Sequence, residues 1–193
     1  MVFISLLLSG CDRLGDGGGG GDASRSDLAL SLSEPAIEWR GDVLGVATGV
    51  VFAPSAAILE ALEHGVAVNV VVATRIHPWH GALASASQTR NHRFEIRYLP
   101  LIEHHQLTEL KTGQTESFPR LSMLLEALSQ RHWLDTHLSR DDVGDTAWQV
   151  QARVDIDREQ LPAPMQLSAW RDRNWRSGQA WLTWRVERDD HAP

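Results

Sequence analysis

The sequence has little cysteine and lysine, and it lacks any long apolar run. Cys11 is the only cysteine among 193 residues, so neither an internal disulfide nor a zinc site built on cysteines is available. No stretch reaches the roughly twenty apolar residues that a membrane-spanning helix requires. Lys111 is the only lysine among 18 basic residues, which are outnumbered by 25 acidic ones. The net charge of −7 argues against binding to phosphate backbones, so no nucleic-acid partner is expected.

The overall composition is typical of one globular domain. Hydrophobic residues make up 42% of the chain and charged residues 22%, which excludes an intrinsically disordered protein and a multi-pass membrane protein. A chain of this length can bury one substantial hydrophobic core, but it is too short for two domains that each bury a core of that size.

The amino-terminal residues resemble a bacterial lipoprotein signal. Val2–Leu8 form an apolar run like the central region of a secretory signal peptide, although no Lys or Arg precedes it. The tetrad Leu8-Ser9-Gly10-Cys11 resembles a lipobox, in which only the cysteine thiol can accept the diacylglyceryl group. The sequence therefore predicts a signal peptide over residues 1–10 and a membrane anchor through acyl chains on Cys11. Asp12 resembles the signal that keeps some Gram-negative lipoproteins in the inner membrane.

A glycine-rich segment separates this signal from the rest of the chain. Six of the 15 glycines lie at positions 15 and 17–21, and no apolar periodicity accompanies them. Such a segment buries too little apolar surface to offset the entropy cost of ordering it. We expect residues 11–34 to be the lipidated cysteine and a flexible tether, and residues 35–193 to form one β-rich domain.

Period-two alternation dominates residues 35–193. Between Val66 and Ile76, branched apolar residues alternate with small or polar ones, as in an antiparallel strand with one buried face. The same pattern predicts strands at Val43–Phe52, His92–Tyr98 and Trp148–Asp157, with Ala36–Arg40 pairing before the first of these. A hairpin around Thr112-Gly113 is expected to join Gln106–Leu110 to Gln114–Phe118.

Two stretches have helical spacing instead. Ser55–His64 follows a proline and ends at Gly65, which we expect to cap the helix in the left-handed conformation. In Pro119–Gln130, leucines recur at i, i+3, i+4 and i+7, with Ser117 as the candidate N-cap. Because the helices are few and βαβ units do not repeat, the sequence predicts a mainly β (α+β) fold, an antiparallel β-sandwich with two short helices.

The histidines do not form a recognisable catalytic or metal-binding motif. His77 and His80 are interrupted by Pro78, and the adjacent His104 and His105 would point to opposite sides of a strand. The sequence also lacks a Gly-x-Ser-x-Gly elbow, a phosphate-binding P-loop and a dinucleotide-binding motif. We therefore assign no catalytic residue, no metal ligand and no cofactor from the sequence.

Tryptophan is the unusual residue, with 8 copies against 1 tyrosine and 4 phenylalanines. Four tryptophans lie near the carboxyl terminus and alternate with arginines, the two residue types that are most common in interface hot spots. Large indole rings also fill the cores of small domains, and both interpretations stay open at this point. The candidate partner surface consists of Trp170, Arg171, Trp175, Arg176 and Trp181.

Three stretches resemble a known family. Leu161-Pro-Ala-Pro-Met-Gln-Leu167, followed by Asn174-Trp175, is similar to the closing motif of a bacterial envelope family known as domain of unknown function 4390. Glu60–Val66 is similar to the Ala-Leu-x-x-Gly helix exit of that family, and Arg97–Leu101 to its central strand. The resemblance covers residues from about 36 to 185. It implies a secreted or membrane-anchored domain without an assigned activity, so it carries over no site residue.

These observations favour a lipid-anchored envelope protein whose domain faces the periplasm and binds another envelope protein without catalysis. The acyl chains on Cys11 would supply the membrane contact. Two alternatives stay open. One is an envelope hydrolase acting on glycan or lipid, and the other is a glycan-binding or structural lipoprotein.

Overall fold

Nine antiparallel strands form two sheets in the computed structural model, which describes residues 28–79, 87–143 and 147–187. Cys11, Asp12 and His80 lie outside these described ranges. The strands are β1 (Ala29–Arg40), β2 (Val43–Ala53), β3 (Val68–Pro78), β4 (Gln88–Leu99), β5 (His104–Glu109), β6 (Gln114–Phe118), β7 (His132–Ser139), β8 (Trp148–Ile156) and β9 (Leu182–Val186). The helices are α1 (Ala56–Glu63), α2 (Leu121–Ser129), α3 (Arg140–Val143) and α4 (Ala163–Arg171), with single 3-10 turns at Arg158–Gln160 and Arg173–Trp175.

The smaller sheet has the order β1-β2-β7 and the larger sheet the order β6-β5-β4-β3-β8-β9. The two sheets share one hydrophobic core, in which β1 contacts β8 and β7 contacts β3. Helix α1 adds the buried Ile58 and Leu62, and α2 contacts β2, β5 and β6. This architecture confirms the mainly β sandwich that the sequence predicts, with α3 and α4 added to the two expected helices.

Alternation along β3 determines what faces the core and what faces outward. Val68, Val70 and Val72 are buried, while Ala73 and Arg75 lie on the opposite face of the strand. A strand buried on one face alternates in this way because successive side chains point to opposite sides. The four strands and the hairpin predicted from period two are confirmed, with ends that differ by a few residues.

Strand β1 begins earlier than the sequence predicts, inside the segment expected to be a tether. Leu28, Leu30 and Leu32 are all buried, and Ala29 already pairs with Ala53 at the end of β2. The three leucines occupy every second position, so they cover the core from one face of the strand. The ordered domain therefore includes residues from 28 onward, and not only from 35.

The two predicted helices are present, but only one of their caps is. The Ser55 side chain accepts a hydrogen bond from the Ile58 amide, and Gly65 has a φ of +75°, the left-handed conformation expected after a helix. Helix α2 begins after Arg120 without a side-chain cap. The prediction for Ser117 was wrong, because Ser117 pairs with Gln106 in the sheet and lies before Pro119.

A charged cluster connects β4 to β7 beside the core. Asp135 forms ion pairs with Arg90, at 3.0 Å between Oδ1 and Nη1, and with Lys111. The ring of the buried His92 donates through Nε2 to the Asp135 carbonyl oxygen at 3.1 Å. Burial lowers the pKa of His92 below its ordinary value of 6.5, and this effect outweighs the opposing influence of Asp135.

None of the helices in the described part of the chain is long and apolar enough to cross a membrane.

Candidate functional site: an arginine–tryptophan cleft

A cleft of about 230 Å³ lies on the outer face of the larger sheet. Its floor is made by Val71 and Ala73 of the central strand β3, and its sides by longer residues on the two neighbouring strands. Val71 pairs with Arg93 of β4 on one side and with Asp155 of β8 on the other. Short side chains on β3 between longer ones on β4 and β8 therefore create the depression.

The wall at one end of the cleft comes from the chain that follows β8. Arg158 and Glu159 lie in the first 3-10 turn, and Trp170 lies at the end of α4. The Arg158 guanidinium stacks over the Trp170 ring at 4.3 Å from its centroid. The Trp170 side chain is nevertheless 46% exposed, so the ring is available to a ligand or partner.

Two of the carboxylates in the cleft are already bound within the domain. Asp157 accepts from the Arg93 Nε at 2.8 Å. Asp155 Oδ1 accepts from the Ile156 amide at 2.9 Å and from the Ser177 hydroxyl at 3.3 Å. These contacts fix both carboxylates and neutralise Arg93.

Three further arginines, Arg75, Arg153 and Arg158, are held by tryptophan instead of by carboxylates. Trp181 lies between Arg75, at 4.5 Å from its centroid, and Arg153, at 4.7 Å. Such cation–π contacts orient a guanidinium without occupying its hydrogen-bond donors. In the described part of the chain, no carboxylate forms an ion pair with Arg75, Arg153 or Arg158.

Three buried nitrogen atoms of this group also lack a hydrogen-bond acceptor among the described residues. They are the Nε atoms of Arg75 and Arg153 and the Nη1 atom of Arg158. A buried donor without an acceptor costs free energy, on the order of 1–3 kcal/mol. Arg153 and Arg158 both line the cleft, so two guanidinium groups without a carboxylate partner among the described residues border the same depression.

The five residues predicted as a partner surface do not share one environment. Trp170, Arg171 and Arg176 are exposed, and Arg176 donates to the Trp170 carbonyl oxygen at 2.5 Å. Trp181 is partly buried between its two arginines. Trp175 is only 4% exposed and packs in the core, so its ring does not contribute to a free surface.

Sequence reasoning missed Arg75, Arg153 and Arg158 as members of this site. Alternation does place Arg75 and Arg153 on the outward face of their strands, and this was the only local signal. Their approach to Trp181 depends on β8 pairing with both β3 and β9. Leu167, 63% exposed and one helical turn before Trp170, was also missed as a neighbouring apolar group.

Some of the remaining tryptophans stack with arginine and others pack against the core, so both interpretations that the sequence left open apply. Arg140 stacks on Trp39, Arg185 on Trp79 and Arg40 on Trp133. Trp148 and Trp184 pack against the core like Trp175. The stacked pairs join residues distant in sequence, so the arginine–tryptophan alternation near the carboxyl terminus does not itself create the contacts.

His77 and the adjacent His104-His105, which the sequence analysis did not assign to a site, lie at opposite ends of the larger sheet. His77 lies at the end of β3 and pairs with Gln149, whereas His104 lies at the start of β5 and pairs with Leu99 at the far end of β4. His105 stacks on Tyr98 at 4.8 Å between ring centroids, and burial lowers its pKa. In residues 28–79, 87–143 and 147–187, no group of three or more His, Cys, Asp or Glu side chains is placed to hold a metal ion.

Residues 28–185 match the family model described as "Domain of unknown function (DUF4390)". The chain belongs to this family. The match to DUF4390 begins one residue before β1 and includes every residue named in and around the cleft, from Val71 to Trp181. Cys11 lies before it. Neither a curated protein nor a solved structure shows significant similarity to this DUF4390 chain.

Proposed function

We propose that the chain is a lipid-anchored envelope protein whose domain faces the periplasm and binds another protein without catalysis. The binding site is the cleft formed by Arg153, Arg158 and Trp170. One observation carries this assignment: these two arginines are oriented by tryptophan rings, while their donors have no carboxylate partner among the described residues.

The chemistry of the cleft suits a polypeptide segment. Guanidinium donors of Arg153 and Arg158 would bind backbone carbonyl or carboxylate oxygens of the partner, and these charge-assisted bonds are the strong ones. The exposed rings and methyl groups of Trp170 and Leu167 would pack on an apolar side chain beside them. Tryptophan and arginine placed in this way are typical of the residues that dominate binding energy.

The membrane anchor is supported by the sequence around Cys11, where the chain's only cysteine falls on the lipobox-like tetrad. Its test is palmitate labelling and flotation of the full chain with membranes. We expect Cys11→Ser to abolish both. Adding Ser26→Cys to that variant is the matched control, because a cysteine outside the tetrad should not restore labelling. Labelling of the double variant, or flotation of Cys11→Ser, would contradict the anchor.

The binding site is tested by photo-crosslinking in cells. A p-benzoylphenylalanine residue replaces Trp170 in the full chain, and the control carries it at Met123, which is 44% exposed on α2. We expect one reproducible protein adduct from position 170 and none of the same mass from position 123. Adducts that are equal at the two positions would contradict a specific site.

A glycan ligand is the outcome that would replace this proposal. Trp170 beside the polar groups of the cleft could also stack on a sugar ring. If position 170 yields no protein adduct and the purified full chain binds soluble peptidoglycan fragments, and if Trp170→Ala removes that binding, the glycan-binding alternative is correct.

A further inference from the structure

The turn between β4 and β5 exposes two adjacent apolar side chains. Leu101 is 100% exposed and Ile102 is 57% exposed. A single apolar side chain on a surface needs no explanation, but two adjacent ones at the tip of a turn form a small exposed apolar patch.

The conformation of this turn is fixed by the chain itself. The Ile102 amide donates to the Leu99 carbonyl oxygen at 3.2 Å, and Pro100 restricts φ at the second position of the turn. The His104 ring donates through Nδ1 to the Ile102 carbonyl oxygen at 2.6 Å. Glu103 takes a φ of +53° and returns the chain to β5. The two apolar side chains are therefore presented in a defined direction.

The tip lies at the end of the sandwich where the described chain begins. Ala29 pairs with Ala53, the last residue of β2, and α1 follows three residues later. Helix α1 contacts β4 and leads into β3, whose first residue pairs with Ile96 close to the turn. Residue 28 and the tip are thus both at the α1 end of the domain.

The spacing between the proposed anchor and the domain agrees with a membrane at this end. Cys11 and Leu28 are 28 − 11 = 17 positions apart. Seventeen residues reach at most about 60 Å even when fully extended. The proposed anchor therefore limits how far the α1 end of the domain can lie from the lipid surface.

We propose that Leu101 and Ile102 insert into the lipid surface to which Cys11 is anchored, so that the acyl chains and the tip hold the domain at two points. This inference rests on the proposed anchor. Two contacts would restrict how the domain turns on its tether, and would leave the cleft, on the outer face of the larger sheet, open to a partner in the periplasm.

The test uses the full chain in cells, with p-benzoylphenylalanine in place of Leu101. The matched control carries the same residue in place of Leu167, another exposed leucine, which lies on α4 with 63% of its side chain accessible. With labelled phospholipid precursors supplied, we expect a lipid adduct from position 101 at about ten times the yield from position 167, since burial of one leucine is worth about tenfold in an equilibrium.

Each other outcome overturns the proposal in a recognisable way. A protein adduct at position 101 would assign the tip to a protein contact. Equal lipid yields at the two positions, or no lipid adduct, would show that the tip does not enter the membrane. Palmitate labelling of the same cells separates the two claims: loss of lipid adducts with labelling intact refutes only the insertion, whereas absence of labelling refutes the anchor together with it.

Discussion

Removal of Trp181 tests whether tryptophan rings hold the arginines of the cleft. The ring lies between Arg75 and Arg153, at 4.5 and 4.7 Å from its centroid. In Trp181→Ala both guanidinium groups lose the surface on which they stack. No carboxylate among the described residues is paired with either of them, so we expect both side chains to lose their fixed orientation.

The magnitude follows from the number of stacks and their exposure. A cation–π contact contributes about 0.5 kcal/mol when exposed and about 2 kcal/mol when desolvated. With two partly buried contacts, Trp181→Ala should lower the free energy of unfolding by about 2–4 kcal/mol. Trp170 has one such contact and is 46% exposed, so Trp170→Ala should cost only about 0.5–1 kcal/mol.

Urea unfolding measured for both variants gives the comparison, and thermal unfolding should shift by about 2–4 °C for each kcal/mol in a domain of this size. Trp181→Phe keeps an aromatic face, and Trp181→Leu keeps apolar volume without one. We expect the phenylalanine variant to be the more stable of the two. If the leucine variant equals or exceeds it, the rings contribute packing alone and the reasoning fails.

Three further predictions concern the fold. Gly49→Ala should destabilise the domain by about 1–3 kcal/mol, because a Cβ there would overlap the Ser129 carbonyl oxygen. Gly41→Ala, the control, has no atom within 4 Å of its Cβ position and should lose only the stability that its left-handed φ requires. Equal losses of unfolding free energy in the two variants would be inconsistent with this account. A chain that starts at residue 28 should fold, whereas one that starts at residue 35 should not, because the shorter chain lacks the buried Leu28, Leu30 and Leu32. Circular dichroism and gel filtration measure folding in both chains. A folded shorter chain would disprove the role of β1. The free energy of unfolding should fall as the pH is lowered below 6.5, because His92 takes up a proton in the unfolded chain but resists it when buried. In His92→Gln, the urea midpoint should change less between pH 7.5 and 5.5 than in the unsubstituted chain. An equal change of the midpoint in both chains would contradict this prediction.

The parts of the fold that the sequence predicted are those with a local cause. Burial of one face produces period-two alternation within a single strand, so β3 and β8 were visible without knowledge of their partners. Strand order is different, because it depends on pairing between distant segments. The position of β8 between β3 and β9 brings Arg75 and Arg153 to Trp181. The residues next to these three in the sequence show no pattern that predicts this strand order.

Other elements were missed because a polar or helix-breaking residue hid the pattern. In β7, Thr136 occupies a buried position between Leu134 and Leu138, and its hydroxyl donates to the Leu44 carbonyl oxygen at 2.8 Å. Helix α4 begins at Ala163 between prolines at positions 162 and 164, a residue type that usually breaks helices. Proline is tolerated in the first helical turn, where its missing amide would have no partner anyway.

The most direct test of the central claim combines the photo-crosslink with the cleft arginines. Full-length chains carry p-benzoylphenylalanine at position 170 together with Arg153→Ala, or with Arg120→Ala as a control for an exposed arginine outside the cleft. We predict that the protein adduct is lost with Arg153→Ala and kept with Arg120→Ala, while urea unfolding confirms that both chains are folded. An adduct that survives Arg153→Ala in a folded chain would contradict binding of a partner through the arginine–tryptophan cleft.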